Sequence, residues 1–148
     1  MQHFLLIKRD GLSRSGARLD ARASALQLLD SRIWPLWRRT PNRTRVAAGD
    51  AVAIYLAGDR ESRVIARAVV ERVGTWNRQL ANAYPLLLDG EPVSVLHLMS
   101  AEIFDRAVDV RAVLPRLSFV RPGLKKWGVH FTGGMRALPA ADFGLLTR

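Results

Sequence analysis

Apolar and polar residues alternate with a period of two in two neighbouring stretches of the chain. Residues 51–57 place every second aliphatic side chain on one face of an extended strand and Tyr55 on the other. Residues 63–73 show the same alternation, and the intervening Gly58-Asp59-Arg60-Glu61 is typical of a hairpin turn. We therefore predict two adjacent antiparallel strands. Their predicted core residues are Val52, Ile54 and Leu56 on the first strand and, sharing one face of the second, Val64, Ala66, Ala68 and Val70.

Other apolar runs predict further strands and a few short helices. Asp20 is a typical N-cap for a helix over residues 21–29, and Pro139 suits the first turn of a helix that ends near residue 146. Pro35 stops the first helix from continuing, so residues 34–48 are predicted to be a structured loop. The remaining predicted segments are strands at 4–7, 93–104 and 135–138, a short strand or extended segment at 117–120, a short helix at 109–114 and an irregular stretch at 74–91.

The predicted elements define an α+β fold class. Strands outnumber helices, and regular alternation of strand and helix is missing, which argues against a doubly wound parallel sheet. Hairpins and irregular loops between the strands favour a small, partly closed mixed barrel with two or three short helices. The sequence contains no internal repeat, low-complexity segment or linker, so residues 1–148 are predicted to form a single domain.

The composition excludes several classes of function. The chain of 148 residues has no cysteine, which excludes disulfides, thiolate catalysis and cysteine-ligated zinc and fits a reducing compartment. No stretch approaches the roughly 20 apolar residues of a membrane helix, and the segment 3–7 is too short for a signal peptide. We expect a soluble, cytoplasmic protein that does not associate with membranes.

The net charge of +10 favours a polyanionic partner. Each lysine or arginine that neutralises a phosphate releases counterions, so a strongly basic chain is typical of proteins that bind DNA or RNA. The basic residues are nearly all arginine, and an arginine-rich composition also arises in proteins from GC-rich genomes. The charge therefore suggests a nucleic-acid partner without indicating a fold.

Motifs for catalysis are missing. His3, His97 and His130 are scattered without the short spacing of metal ligands, and each is more typical of a structural hydrogen-bonding residue. The sequence has no nucleophile elbow, no phosphate-binding glycine loop and no His-Glu-x-x-His motif. We predict no metal and no cofactor, and the sequence favours binding over catalysis.

Tryptophans are interleaved with arginines in residues 32–45. Trp34 and Trp37 stand among five arginines with no acidic residue, a combination in which rings stack on bases and guanidinium groups bind phosphates. The alternative is that both indoles pack on the sheet while the arginines extend into water. Trp127 follows Lys125-Lys126 and repeats the pattern, with a hydrophobic contact beneath a basic turn as its alternative. Tyr55 either packs on the first helix or lines a pocket.

One segment resembles a known family. The basic, tryptophan-containing stretch is followed by Val46-Ala-Ala-Gly49-Asp50-Ala-Val-Ala-Ile-Tyr55 and a hairpin, which is similar to the EVE domains of the PUA-like superfamily over residues 2–73. The related ASCH and YTH groups share the Gly-Asp-strand-Tyr pattern. The resemblance implies a PUA-like mixed pseudo-barrel of five or six strands flanked by short helices.

The same resemblance implies a function and a site. EVE-like and YTH-like domains are thought to hold a modified base of DNA or RNA in an aromatic-lined pocket. Carried over to this chain, the pocket residues are Trp34 or Trp37 together with Tyr55, and Asn42 bonds to the base edge. Arg39 and Arg43 contact phosphates. We predict that the segment from Trp34 and the loop of Trp127 frame one pocket, with Tyr55 in its wall.

Two other functions remain open from the sequence. Some ASCH-type proteins resemble small amidohydrolases that act on modified pyrimidines with a lysine, a threonine and a glutamate. Thr40 and Thr44 are present here, but no lysine lies between Lys8 and Lys125, which favours a binding module. The third possibility is a protein–protein adaptor whose basic face meets an acidic partner. The oligomeric state is left open.

Overall fold

The computed structural model describes residues 1–58, 61–123 and 125–148, so Asp59 and Arg60 of the predicted hairpin turn lie outside the described residues. The strands are β1 (His3–Lys8), β2 (Gly11–Leu12), β3 (Arg18–Leu19), β4 (Ile33–Leu36), β5 (Ala51–Leu56), β6 (Arg63–Thr75), β7 (Ser94–Asp109) and β8 (Met135–Leu138). The helices are α1 (Ala21–Ser31), α2 (Arg78–Ala83), α3 (Val110–Val113) and α4 (Ala140–Leu146), with 3-10 turns at Leu114–Arg116 and Trp127–His130.

Six strands form one mixed sheet in the order β4-β7-β6-β5-β1-β8. Strand β1 runs parallel to β5, and the other neighbours in this sheet are antiparallel. The sheet curls into a half-barrel with short helices around it, while β2 and β3 form a separate two-stranded ladder. The predicted α+β pseudo-barrel of five or six strands is confirmed.

Each face of the sheet carries its own hydrophobic core. Along β1 the side chains alternate, so that Phe4 and Leu6 face one cluster and Leu5 and Ile7 face the other. The first cluster lies under α1 and includes Leu28; we call it the α1 core. The second includes residues of α3 and α4, and we call it the α4 core. Strand β5 is buried on both faces because it lies between them.

Strand β6 is bulged at Ile65, and this changes which face Val64 occupies. Tyr55 pairs with Val64 and Ile54 pairs with Ala66, so Ile65 is an extra residue at this step of the ladder. As a result, Ile65 and Ala66 both lie in the α1 core, whereas Val64 lies in the α4 core. The prediction that Val64 shares a face with Ala66 is wrong, although all of the predicted core residues are buried.

The Gly49-Asp50 pair fixes the entry into β5. Gly49 has φ +90°, a conformation that suits glycine, and its N–H donates to the Val70 carbonyl at 2.7 Å. Asp50 is buried, and its carboxylate accepts from the backbone N–H groups of Gln2 and Ala47, both at 2.8 Å. The motif therefore joins the start of β1 to the turn before β5, the two strands that run parallel.

The helix predictions agree with the structure. Asp20 caps α1, because its Oδ1 accepts from the Ala23 N–H at 2.7 Å. Pro139 immediately precedes α4 as its N-cap residue. The longest described helix, α1, has 11 residues, and no described helix is long and apolar enough to cross a bilayer.

Three predicted segments differ from the structure. Ile33–Leu36 is strand β4 rather than loop, since Pro35 is tolerated on an edge strand that needs no N–H from it. The stretch predicted to be irregular contains the end of β6 and the helix α2. Residues 117–120 form a turn, not a strand or extended segment, and the Leu117 and Val120 N–H groups donate to the carbonyls three residues before them.

Candidate nucleic-acid interface

Strand β4 and the turn that follows it position the two tryptophans differently. Trp34 lies within β4, opposite Leu96 of β7, and is only 5% exposed in the α1 core. Trp37 follows the strand and is half-buried. Thr40 holds its backbone: the Trp37 N–H donates to Thr40 Oγ1 at 2.9 Å, and the Thr40 N–H donates to the Trp37 carbonyl at 3.0 Å. The local turn thus fixes Trp37 at the rim of the core.

Trp34 and Trp37 line a cavity of about 230 Å³, which we call the Trp37 cavity. Its wall also contains Lys8, Thr40 and Tyr84, so three aromatic rings and one ammonium group face a single space. This volume is below the roughly 300–1,000 Å³ of typical sites for drug-sized ligands. The Trp37 cavity is therefore suited to one flat ring rather than to a larger molecule.

A wider groove of about 610 Å³ adjoins the Trp37 cavity. Lys8, Trp37 and Tyr84 line both spaces, which places them at the boundary between cavity and groove. Asp10 and Arg18 also line the groove and form an ion pair with 2.8 Å between Oδ2 and Nη2. A molecule whose ring entered the cavity would leave its remaining atoms in this groove.

Burial changes the titration of two polar groups in the cavity wall. Burial lowers the pKa of the Lys8 ammonium below its ordinary value, and the charge of Asp10 opposes this effect. The Lys8 ammonium donates to the Arg9 carbonyl at 2.9 Å. Burial raises the pKa of Tyr84 to about 12, so this phenol is neutral at physiological pH. Both groups are hydrogen-bond donors near neutral pH.

Trp37 carries a further polar group that is not satisfied within the protein. Its indole Nε1 is buried and has no hydrogen-bond partner among the described residues. A buried N–H without an acceptor costs roughly 1–3 kcal/mol. A Cβ built on Gly90 would lie 3.8 Å from this nitrogen, so the N–H is enclosed beside Gly90 and does not open onto the cavity.

The other predicted residues of this segment lie outside the Trp37 cavity wall. Arg39 is exposed, and Arg43 is half-buried with its Nε lacking a partner among the described residues. Asn42 has φ +64°, its Oδ1 accepts from Arg45 Nη1 at 3.1 Å, and its Nδ2 donates to the Met135 carbonyl at 3.5 Å. The Asn42 amide therefore stabilises the turn, and none of these three side chains lines the cavity.

Tyr55 and Trp127 lie on the other side of the sheet. Tyr55 belongs to the α4 core, and the half-buried Trp127 packs against it. Their ring centroids lie 4.8 Å and 5.5 Å from that of Phe131. Together with Arg9 and Arg111 they line a cavity of about 330 Å³, which we call the second cavity. The expected single pocket is thus divided in two, because β5 turns Tyr55 away from the face that Trp34 occupies.

Arg9 connects the two cavities. It follows β1 directly and lines both the Trp37 cavity and the second cavity. The predicted site lacks Lys8, Arg9 and Tyr84 of the Trp37 cavity wall. It also lacks Ser62, Arg111 and Phe131 of the second cavity. Lys8 had a detectable signal, since alternation along β1 places it on the same face as Phe4 and Leu6. Tyr84 had none, because it approaches from the loop after α2.

Within residues 1–58, 61–123 and 125–148, no cluster of histidine, aspartate or glutamate could hold a metal ion. The polar groups that line the Trp37 cavity are donors and rings instead. Such groups bind a flat molecule with carbonyl oxygens through stacking and hydrogen bonds.

Comparison with solved structures identifies the fold. No family model matches the chain, and no curated protein matches it by sequence. The N-terminal domain of Staphylothermus marinus McrB is similar with a TM-score of 0.58 and 9% identity, over 97% of this chain and 92% of that one. Human THYN1, solved in complex with DNA containing 5-methylcytosine, is similar with a TM-score of 0.57 and 12% identity, over 97% and 94%. The chain therefore shares the fold of these two domains, in agreement with the expected PUA-like pseudo-barrel.

Proposed function

We propose that the protein binds nucleic acid and recognises a modified base, which it holds in the Trp37 cavity. The observation that carries this proposal is a cavity of about 230 Å³ walled by Trp34, Trp37 and Tyr84, directly before a basic turn. A base inserted there would stack on an indole, and each such stack contributes roughly 1–3 kcal/mol. The Lys8 ammonium would donate to its carbonyl oxygen.

The basic surface supports the same proposal. The chain carries 23 lysines and arginines against 13 acidic residues. Arg38 and Arg39 are exposed on the turn after Trp37 and have no acidic partner among the described residues. Phosphates of a bound strand would contact this turn while one base enters the cavity. We also propose that the protein is located in the cytoplasm. Fluorescence microscopy of a tagged protein would test this.

The solved complex of THYN1 with DNA containing 5-methylcytosine suggests a first ligand to test. Burying one extra methyl group in an apolar wall contributes about 0.8 kcal/mol, equivalent to roughly fourfold in affinity. We expect a single-stranded oligonucleotide with one 5-methylcytosine to bind about fourfold more tightly than its unmodified counterpart. Because a base must leave the stack at a cost of a few kcal/mol, an intact duplex should bind more weakly than a single strand.

The matched variants for this experiment are Trp37→Ala and Trp127→Ala, one in each cavity. Trp37→Ala should weaken binding about 5- to 150-fold and abolish the preference for the methylated strand. Trp127→Ala should keep that preference, whatever its effect on total affinity. Parallel DNA and RNA strands decide which nucleic acid is bound. If Trp37→Ala retains both affinity and preference with its fold intact, the base site lies elsewhere.

A small amidohydrolase acting on acylated pyrimidines is a second candidate, because Lys8 and Thr40 line the same cavity. Burial lowers the pKa of Lys8 and so increases its neutral, reactive fraction. Against this, the Lys8 ammonium is engaged with the Arg9 carbonyl, and no glutamate is among the described lining residues. Hydrolysis of acylated cytidine that is lost in Lys8→Met and in Thr40→Val would establish the enzyme. Binding of the same compound without turnover would support the binding module.

A further inference from the structure

The second cavity combines cationic, hydroxyl and aromatic groups. Arg9 approaches it from the end of β1 and Arg111 from α3, while Tyr55 and Ser62 contribute hydroxyl groups. No acidic residue lines it in the described part of the chain. Arginine guanidinium groups present planar pairs of N–H donors that fit phosphate oxygens.

The geometry around Tyr55 brings these groups together. Burial raises the pKa of Tyr55, while a hydrogen bond with Ser62 and the positive charges of Arg111 and Arg9 act in the opposite direction. Both guanidinium groups line the same cavity as the phenol, and their positive charge favours its ionised form. The Arg111 guanidinium also lies 5.7 Å from the centre of the Trp127 ring, a cation–π contact that holds it at the cavity wall.

The cavity is held in place by the core beneath it. Tyr55 is 3% exposed and Ser62 is 4% exposed, so their positions are set by packing rather than by solvent. Ser62 has φ +52°, which residues other than glycine rarely adopt, and its hydroxyl donates to the Gly58 carbonyl at 3.3 Å. These hydroxyl groups are therefore fixed before any ligand arrives, which reduces the entropy lost on binding.

We infer that the second cavity is a phosphate-binding site, separate from the Trp37 cavity and joined to it through Arg9. Arg9 and Arg111 bind the phosphate oxygens, and the Trp127 ring covers the sugar or base attached to them. The phosphate belongs either to the backbone of a nucleic acid or to a free nucleotide. Arg9 is shared by the two cavities, but Tyr55, Arg111 and Trp127 line only the second one. The site therefore does not depend on base recognition in the Trp37 cavity.

Calorimetric titration with inorganic phosphate at constant ionic strength tests the site itself. Wild type should bind one phosphate, and Arg111→Gln and Arg9→Gln should each weaken that binding about tenfold or more. The control is Arg22→Gln, an equal loss of charge at an exposed position of α1 that lines none of the described cavities. It should bind phosphate like wild type. Circular dichroism tests whether each variant is folded. If Arg111→Gln does not fold, the phosphate affinity of Arg9→Gln alone tests the inference.

Two further ligands distinguish the sources of the phosphate. An abasic single strand supplies backbone phosphates without bases, and cytidine 5′-monophosphate supplies a free nucleotide. Tighter binding of the abasic strand assigns the site to the backbone, and tighter binding of the nucleotide assigns it to a free nucleotide; either preference must be lost in Arg111→Gln. The inference is overturned if wild type does not bind phosphate, or if both arginine variants bind it as wild type does. Loss of base recognition in Trp37→Ala leaves this result unaffected.

Discussion

Trp34 and Trp37 are only three positions apart in the chain, but their surroundings in the fold differ. Trp34 is 5% exposed within the α1 core, whereas Trp37 is half-buried at the cavity rim. Replacing a buried tryptophan by alanine costs roughly 3–5 kcal/mol, so Trp34→Ala should lower the free energy of unfolding by about that amount. Trp37→Ala should lower it much less but weaken oligonucleotide binding about 5- to 150-fold. Urea denaturation of both variants, beside an oligonucleotide titration, measures the two effects; equal destabilisation by both would contradict the assignment.

Tyr84 provides a test of the cavity wall by titration. Its pKa of about 12 exceeds the ordinary pKa of tyrosine, about 10, because burial disfavours the phenolate. The folded state therefore gains its full stability from the neutral phenol below about pH 10. As the pH rises from 10 toward 12, the free energy of unfolding should fall by roughly 2–3 kcal/mol in total. An ultraviolet absorbance titration should show late ionisation of Tyr84, and Tyr84→Phe should remove both that signal and its share of the alkaline destabilisation. Ionisation of both tyrosines near pH 10 in the folded protein would contradict this environment.

At the residue scale, sequence reasoning identified the aromatic part of the Trp37 cavity better than its polar part. Trp37 was predicted from its arginine neighbours, a local signal. Lys8 and Arg9 precede Trp37 by nearly 30 residues, and Tyr84 follows it by nearly 50. Only folding brings these side chains to the same cavity. The face of Tyr55 followed from strand alternation, but which cavity lies on that face depends on the packing of the 3-10 turn Trp127–His130.

The entry into β5 is an element-scale feature with a measurable energy. Asp50 accepts from the N–H groups of Gln2 and Ala47 while being 4% exposed. Asp50→Ala would leave two partly buried N–H donors without their acceptor, which should lower the free energy of unfolding by roughly 2–4 kcal/mol. Asp89→Ala, at an exposed position, is the control and should change it by less than about 0.5 kcal/mol. Thermal or urea denaturation compares the two variants. If Asp50→Ala unfolds with the same free energy as wild type, the pairing of β1 with β5 does not need this carboxylate.

Strand alternation predicts elements well and fails where a residue is inserted into a ladder. The pattern correctly located β5 and the paired part of β6, but Ile65 is unpaired at the bulge and moves Val64 to the opposite face. A bulge depends on pairing with both neighbours, which a single strand's pattern does not contain. Strand β4 was missed for a related reason: Pro35 is compatible with a strand only at a sheet edge, and edge position is a property of the whole sheet.

The distribution of charge is a property of the whole molecule, and it predicts a salt dependence. Arg39 is exposed and Arg43 is half-buried on the turn that follows the Trp37 cavity. If each neutralises one phosphate, Arg39→Ala or Arg43→Ala should weaken binding to every sequence alike and reduce the slope of log affinity against log salt by about 1. Filter-binding or fluorescence titrations at several salt concentrations measure that slope. Arg22→Ala is the matched control, and an unchanged slope in both turn variants would remove these residues from the interface.

The fold class followed from the sequence, whereas the division of the site did not. A mixed barrel was predicted from strand count and from the lack of strand–helix alternation, both of which are visible along the chain. The two cavities depend on how the curled sheet separates the α1 core from the α4 core. That separation places Trp37 and Trp127 on opposite faces, although both stand in basic loops with the same local pattern.

Photocrosslinking measures most directly which cavity holds the base. A single-stranded oligonucleotide with one 5-iodocytosine, irradiated in complex with the protein, joins the base to the aromatic side chain it contacts. Trypsin separates the candidates, because residues 33–38 carry Trp34 and Trp37 whereas residues 127–136 carry Trp127. The account predicts a crosslink within residues 33–38 at Trp37 that disappears in Trp37→Ala. A crosslink at Trp127 instead, unaffected by Trp37→Ala, would contradict the assignment of the base to the Trp37 cavity.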